Sequence, residues 1–263
     1  MISGGGSSYL GPNIYIGSFI CPDDRNHIDV IGGLSYVANT GYISAETFTK
    51  NSNSTYGGIG RSHRPNGQFN DEKYKKKFYT WGGVSSKARI NASLASGVFH
   101  RAARGTDTTV DPYFSAHPQR MTMGRISRGD GLTQTLMLSE NVQAGDWRLG
   151  RETNAIAFGL MADATQPLNA AGTLNTKFDP RANGLNMNSI TYLEFSRINI
   201  GIETSPIGQH PRASGYHAGS VNVFFCGGNG RSISENVDLG VYARLITSDG
   251  SSYGQALLGD NEY

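Results

Sequence analysis

The clearest alternation of hydrophobic and polar positions lies in the sequence SVNVFF, near the C-terminal end of the chain. Val221, Val223 and Phe225 are two residues apart, so they fall on one face of a β-strand. The residues between them, together with Cys226, fall on the other face. The GGNG that follows supplies the positive φ angles of a tight hairpin turn, and RSISENV provides a return strand. The pattern predicts a β-hairpin, which we expect at the centre of a sheet.

Other segments have the apolar content and the turn boundaries that are typical of short strands. TLMLSENV is too short for periodicity to separate a strand from the end of a helix. Asp238 is placed to cap a short helix, DLGVYARLIT, in which Val241 and Leu245 share a face. The predicted strands are NIYIGSFIC (13–21), GGLSYVANTGYIS (32–44), SGVFHRAAR (96–104), NAIAFGLMAD (154–163) and SITYLEFSRINIG (189–201).

Composition favours a loop-rich, mostly β surface protein. Only 37% of the residues are hydrophobic, and 35 are glycines, which favours turns and exposed strands over a helical core. Residues 46–95 are polar, Gly-rich and punctuated, so we interpret them as a surface excursion.

Charge and hydropathy exclude two classes of partner. Charged residues make up 17% of the chain and the net charge is +2, which offers no broad electrostatic footprint for nucleic acid. No run of about 18 apolar residues is present, so the sequence contains no membrane-spanning segment.

The usual catalytic patterns are absent from the sequence. None of the six histidines has HxH or HExxH spacing, and there is no GxSxG nucleophile elbow. The Gly-rich GGIGRS and GGNGRS lack the lysine of a phosphate-binding loop, and RGDG is a good turn sequence by itself. We therefore predict that the protein is not an enzyme and has no cofactor, with calcium as the one ion left open. Its candidate ligands, Asp249, Asp260 and Glu262, lie in a Gly-rich tail, and Ca²⁺ prefers several oxygens on flexible loops.

The two cysteines, Cys21 and Cys226, are too far apart in sequence for a zinc knuckle or a CxxC redox motif. Two interpretations remain open. Either both are buried thiols, or they form one long-range disulfide, which requires an oxidising compartment.

Five motifs in a fixed order resemble a known family. They are FICPDD, LSYVANTG, GVFHR, ISRGDGLTQTLMLSENVQAGDW and HAGSVNVFFCGGNGRSISENVDLGVYARLIT. Together they resemble a planctomycete-type, prepilin-like bacterial family, domain-of-unknown-function family 1559, also filed under a solute-binding heading. The residues that carry this structural signature are Cys21, Asp130, Glu140, Trp147, His217, Asn222 and Cys226. In one respect the chain departs from the family pattern, because Gly227 stands where members have an aspartate ten residues after the histidine that matches His217.

The resemblance implies a fold and an export route. Members usually begin with a prepilin leader and a long apolar helix, and this chain begins near the family's first CP motif. The implied fold is a pilin- or pseudopilin-like α+β head, so we predict one domain over residues 1–263 that is dominated by antiparallel β-sheet, rich in loops and with few short helices. The implied location is the cell surface, the extracellular space or the periplasm. The absent helix would anchor in a membrane or a filament core, and an absent upstream cysteine would be a further partner for Cys21. Without that helix, we expect an apolar groove on the sheet face of Val221, Val223 and Phe225, or on the opposite face through Phe224.

The resemblance also implies a role. We expect a non-enzymatic extracellular subunit of a surface filament or secretion apparatus, whose partners are copies of itself or other pilin-like subunits. In this interpretation His217 fixes the start of the hairpin through a hydrogen bond. The alternative is an extracellular glycan- or solute-binding module that stacks sugars on its aromatic rings. The candidate rings are Tyr79, Trp81, Trp147 and Tyr192.

Overall fold

A computed structural model describes the parts of the chain that form the sheet and its surroundings. The described residues are 14–44, 91, 94–99, 121–148, 157–162, 196–202, 211–253, 255 and 258–259. Nearly all of the predicted surface excursion, 46–95, lies outside these residues. No helix within the described ranges is long and apolar enough to cross a membrane.

The described residues form a five-stranded mixed sheet and two short α-helices, which confirms the predicted α+β class. The strand order is β3-β1-β2-β4-β5, and only the β1–β3 pair is parallel. The strands are β1 (Tyr36–Ser44), β2 (Leu136–Glu140), β3 (Ala157–Ala162), β4 (Ser220–Phe225) and β5 (Gly230–Ser234), and the helices are α1 (Met123–Arg128) and α2 (Leu239–Ile246). Two 3₁₀ turns, Gly17–Phe19 and Ser251–Tyr253, complete the elements.

The predicted hairpin forms, but it is not central. β4 and β5 pair in antiparallel register around the GGNG turn, where Gly228 has a φ of 88°. β2 is the middle strand, because it pairs with β1 on one side and with β4 on the other. The hairpin therefore lies at one side of the sheet, and the prediction that it is central is wrong.

One face of the sheet is closed by the C-terminal helix. Val221, Val223 and Phe225 are fully buried, as the alternation predicts, and they share a core with Tyr242 and Leu245 of α2. The side chain of Asp238 accepts hydrogen bonds from the backbone N–H groups of Gly240 and Val241, so α2 begins where the sequence predicts. Since these three side chains are fully buried, the described part of the chain shows no exposed apolar groove at them.

The opposite face is only partly covered. Phe224 is half-buried, and its ring meets the ring of Tyr36 edge-on with 5.7 Å between centroids. Leu138, the partner of Phe224 on β2, is also half-buried. In the described residues, this face has apolar side chains at moderate exposure.

Three of the strand predictions are wrong where the structure describes them. Residues 14–21 contain the 3₁₀ turn, because Phe19 N–H and Ile20 N–H bond to carbonyls three residues back instead of to a neighbouring strand. Residues 96–99 form a turn, since the backbone N–H groups of Val98 and Phe99 both donate to the Asn39 carbonyl. Residues 196–201 are turns as well. Helix α1 was not predicted from any sequence pattern. The side chain of Thr122 caps its first turn.

Candidate functional site

A polar cluster lies where β2 ends beside β4, and Glu140 is at its centre. The Glu140 side chain is almost fully buried. Its carboxylate accepts hydrogen bonds from the backbone N–H of Asn222 at 2.8 Å and from the Asn222 amide at 3.1 Å. These bonds tie the last residue of the central strand to the middle of β4, and they keep a buried charge hydrogen-bonded.

His217 joins this cluster to the N-terminal loop. Its Nε2 lies 3.0 Å from Oε1 of Glu140 and 2.8 Å from the Asn222 amide nitrogen. Its Nδ1 lies 3.2 Å from Oδ2 of Asp23. The ring is held just before β4 by a turn in which Ser220 N–H donates to the His217 carbonyl. His217 therefore makes polar contacts from both ring nitrogens just before the start of the hairpin.

Cys21 is the third member of the cluster. Its Sγ lies 3.5 Å from Nε2 of His217, and the residue is buried. Burial, with a smaller contribution from the Glu140 carboxylate, raises the pKa of the Cys21 thiol to about 11. Burial and the neighbouring thiol likewise raise the pKa of Tyr36 to about 12. In the absence of a bound cation, the Cys21 thiol is therefore protonated at neutral pH and is a weak nucleophile.

A second polar network holds the 21–27 loop against the sheet. Asp24 Oδ2 accepts from the Ser35 hydroxyl at 2.6 Å, and that hydroxyl oxygen accepts from Cys21 N–H. His27 lies between Asp24 Oδ2, 2.6 Å from Nδ1, and the Ala144 carbonyl, 2.7 Å from Nε2. All three side chains are buried. The loop that carries Cys21 and Asp23 is thus fixed by a hydrogen-bonded network beneath it.

The structure separates the predicted signature residues into several places. Cys21, Glu140, His217 and Asn222 meet in the polar cluster. Asp130 instead accepts hydrogen bonds from Thr247 Oγ1 and from the N–H groups of Gly250 and Ser251, so it holds the turn that follows α2.

The remaining two signature residues lie in apolar surroundings. Trp147 packs edge-on against Phe19, with 6.3 Å between ring centroids. Cys226 lies in a small apolar cluster with Val98 and Ile126. Both cysteines are free and buried, which decides between the two interpretations in favour of separate thiols.

The predicted calcium loop is described only in part. Asp249 Oδ1 accepts a hydrogen bond from the Ser252 hydroxyl at 2.7 Å. Asp260 and Glu262 lie outside the described residues. The calcium interpretation therefore stays a prediction.

Sequence reasoning missed Asp23, Asp24 and His27. The three residues follow Cys21 within the stretch CPDDRNH. Asp24 and His27 contact each other, but Asp23 contacts His217 and His27 contacts the Ala144 carbonyl, and both of these partners are far away in sequence. Within the described part of the chain, one side-chain group has ligand atoms placed to hold a metal ion. It consists of Cys21, Asp23 and His217, whose ligand atoms all lie within 4.8 Å of one another.

A family model described as "Protein of unknown function (DUF1559)" matches residues 6–240. The chain belongs to this family. The match includes every residue of the polar cluster, so the cluster lies inside the DUF1559 region. The chain matches no curated protein and no solved structure.

Proposed function

We propose that this DUF1559 chain is a non-enzymatic structural subunit of an exported, pilin- or pseudopilin-like assembly. Its partners in this proposal are copies of itself or related subunits. The assembly is a surface filament or a secretion apparatus, as the resemblance implies.

The observation that carries the proposal is an exposed apolar surface on the N-terminal loop. The described residues include eight large hydrophobic side chains that are exposed, and six of them lie between positions 14 and 31. We call these six the N-terminal apolar surface; each is 40–48% exposed, and they are Ile14, Tyr15, Phe19, Ile28, Val30 and Ile31. Such a concentration is typical of a protein–protein contact, whereas single exposed hydrophobic residues are ordinary.

Backbone contacts bring the two halves of this surface together. Gly32 N–H donates to the Ile14 carbonyl at 3.2 Å, which places Ile14 beside Ile31. Ser35 N–H donates to the Phe19 carbonyl at 2.9 Å, so the 3₁₀ turn is held against the start of β1. The side chains thus belong to one folded region and not to two separate tails.

Charge favours a second copy of the chain as the occupant of this surface. The segment NIYIGSFI at 13–20 contains no charged residue, and the whole chain has a net charge of only +2. Two copies therefore repel each other weakly, because a net charge far from zero is what keeps proteins apart.

The polar cluster supports a structural role over a catalytic one. The Glu140 carboxylate is occupied by Asn222 and His217, and the neighbouring thiol has a raised pKa. A general base or nucleophile needs a free lone pair directed at a substrate. These side chains instead point at one another and join the N-terminal loop, β2 and β4.

Light scattering over a range of protein concentrations tests the assembly. The double variant Ile14→Glu/Ile31→Glu places two charges on the N-terminal apolar surface and should abolish the rise in mean mass with concentration. Met123→Glu is the matched control, because Met123 is 56% exposed on α1, outside this surface, and should associate like the natural chain. A natural chain that stays monomeric at all concentrations would contradict the proposal. Export is tested separately, by protease digestion of the protein on intact cells.

The alternative, a glycan- or solute-binding module, has weaker support. The indole N–H of Trp147 is buried without a hydrogen-bond partner among the described residues, so this ring cannot offer its donor to a ligand. Tyr79, Trp81 and Tyr192 lie outside the described residues. A thermal-shift panel of mono- and oligosaccharides tests this alternative, and a saturable stabilisation by one sugar would favour it.

A further inference from the structure

Three different ligand types converge at one point of the surface. A thiol sulfur from Cys21, a carboxylate oxygen from Asp23 and a ring nitrogen from His217 lie within 4.8 Å of one another. Cys21 is buried, the His217 side chain is about a quarter exposed and the Asp23 side chain is about two thirds exposed. The group therefore has a buried side, formed by sulfur, and a side that faces solvent.

The spacing suits a small tetrahedral ion. Zn²⁺ binds imidazole nitrogen at about 2.0–2.1 Å and carboxylate oxygen at about 2.0–2.2 Å, so tetrahedral angles put those two ligand atoms about 3.3 Å apart. Nδ1 of His217 lies 3.2 Å from Oδ2 of Asp23, which matches this spacing. The mixed sulfur, nitrogen and oxygen donor set is also one that Zn²⁺ accepts, whereas Ca²⁺ and Mg²⁺ prefer oxygen alone.

The surroundings of His217 provide an independent observation. Metal-bound histidines almost always donate their second ring N–H to a carboxylate, a carbonyl or water, which fixes the ring and raises its basicity. Here Nδ1 lies 3.2 Å from Asp23 Oδ2, and Nε2 lies 3.0 Å from Glu140 Oε1. With the ion on Nδ1, beside Asp23, the second ring nitrogen Nε2 faces the buried Glu140 carboxylate.

The chain around the cluster is also fixed before any ion binds. The buried network of Asp24, Ser35 and His27 holds the 21–27 loop, and Cys21 N–H itself bonds to the Ser35 hydroxyl. Asn222 holds Glu140 through two hydrogen bonds. The donors therefore need little reorganisation to close around a cation.

We propose that Cys21, Asp23 and His217 bind one divalent transition-metal ion of the Zn²⁺ class. Zn²⁺ would link the N-terminal loop to the start of β4, with Asp23 on the side that faces solvent. On binding, the Cys21 thiol loses its proton to solvent as the sulfur–metal bond forms. The site is independent of the proposed assembly, because it uses none of the side chains of the N-terminal apolar surface.

Spectroscopic titration of the chelator-treated protein with Co²⁺ tests the site, because cobalt bound to a thiolate has a charge-transfer band that other ligands do not give. The natural chain should take up one Co²⁺ with this band, and Zn²⁺ should displace it. Cys21→Ala should lose the band. Cys226→Ala is the matched control, since Cys226 is the other buried free thiol and lies in the apolar cluster of Val98 and Ile126. This control should titrate like the natural chain.

A second variant keeps the test decisive if Cys21→Ala does not fold. Asp23→Asn changes an exposed side chain, so the fold should be retained, and the Co²⁺ affinity should fall about tenfold or more. The proposal is overturned if the natural chain gives no charge-transfer band. It is equally overturned if Cys21→Ala, folded by circular dichroism, keeps the band, or if Asp23→Asn binds Co²⁺ as tightly as the natural chain.

Discussion

Glu140 shows how one buried carboxylate can organise three separated parts of a chain. It is the last residue of β2, yet its oxygens contact Asn222 of β4 and the ring of His217. Burying a charge is expensive unless the charge is hydrogen-bonded. The contacts to Asn222 and His217 therefore allow a carboxylate to lie inside this fold.

Replacing this carboxylate by an amide should destabilise the protein. In metal-free Glu140→Gln, the amide NH₂ must face one of the two Asn222 donors, so a buried donor loses its acceptor. The free energy of unfolding should fall by about 1–3 kcal/mol. Urea denaturation followed by circular dichroism measures it.

Glu235→Gln is the control for this substitution. Glu235 is only half-buried and accepts from the Asn199 amide at 3.0 Å. The free energy of unfolding of this amide variant should fall by less than about 1 kcal/mol, because water can hydrogen-bond to the groups that lose their protein partner. Equal losses in the two variants would mean that Glu140 has no special role.

At the scale of elements, the sequence predicts what is decided locally. The β4–β5 hairpin follows from two-residue alternation and a glycine turn, and α2 follows from Asp238 and its apolar spacing. The strand predicted at 96–104 is wrong over 96–99, because contacts with distant residues determine the conformation there. A Cβ atom on Gly97 would overlap the backbone at Gly41, so close packing against β1 and bonds to the Asn39 carbonyl fix this turn. No local pattern encodes such a contact.

The members of the polar cluster could likewise be predicted one by one, but their contacts could not. The motifs identified Cys21, Glu140, His217 and Asn222 one by one. They did not indicate that these side chains are in contact, because Cys21 and His217 are separated by most of the chain. The strand order that makes β2 central brings Glu140 and Asn222 together. Asp24 and His27 gave no signal of their own, since a carboxylate three residues before a histidine is common in sequences.

The capping of α2 gives a prediction at this scale. Asp238 Oδ1 accepts from Gly240 N–H at 2.9 Å and from Val241 N–H at 3.1 Å. Asp238→Ala leaves both donors without this partner and should cost about 0.5–2 kcal/mol of unfolding free energy. Asp238→Ser keeps a capping oxygen and should lose only a few tenths of a kcal/mol. Chemical denaturation of both variants checks this, and a Ser variant as unstable as the Ala variant would contradict it.

The stability of the whole molecule, prepared free of metal ions, should fall at alkaline pH. Burial raises the thiol pKa of both Cys21 and Cys226 from the ordinary value of 9.0 to about 11. Between these pH values the unfolded chain loses the two protons while the folded chain keeps them, so the unfolded state is favoured as pH rises. The full stabilisation is present below pH 9 and is lost as pH rises towards 11. The raised pKa of Tyr36, about 12, extends the decline in the same direction.

Urea midpoints measured across this alkaline range test the effect. The double variant Cys21→Ala/Cys226→Ala should show a shallower decline than the natural chain, because neither thiol is left to titrate. If the two declines have the same slope, the thiols do not contribute to it.

The position of α2 has a consequence for how the chain is made. β1 and the helix that seals the sheet are separated by most of the sequence, so the ribosome releases β1 long before α2 exists. Until then the apolar face of the sheet has nothing to bury it, and Val221, Val223 and Phe225 emerge only shortly before their cover. Contacts between such distant segments slow folding and leave partly made chains prone to aggregate. We therefore expect the nascent chain to complete its core only after α2 has been translated, and to be prone to aggregation until then.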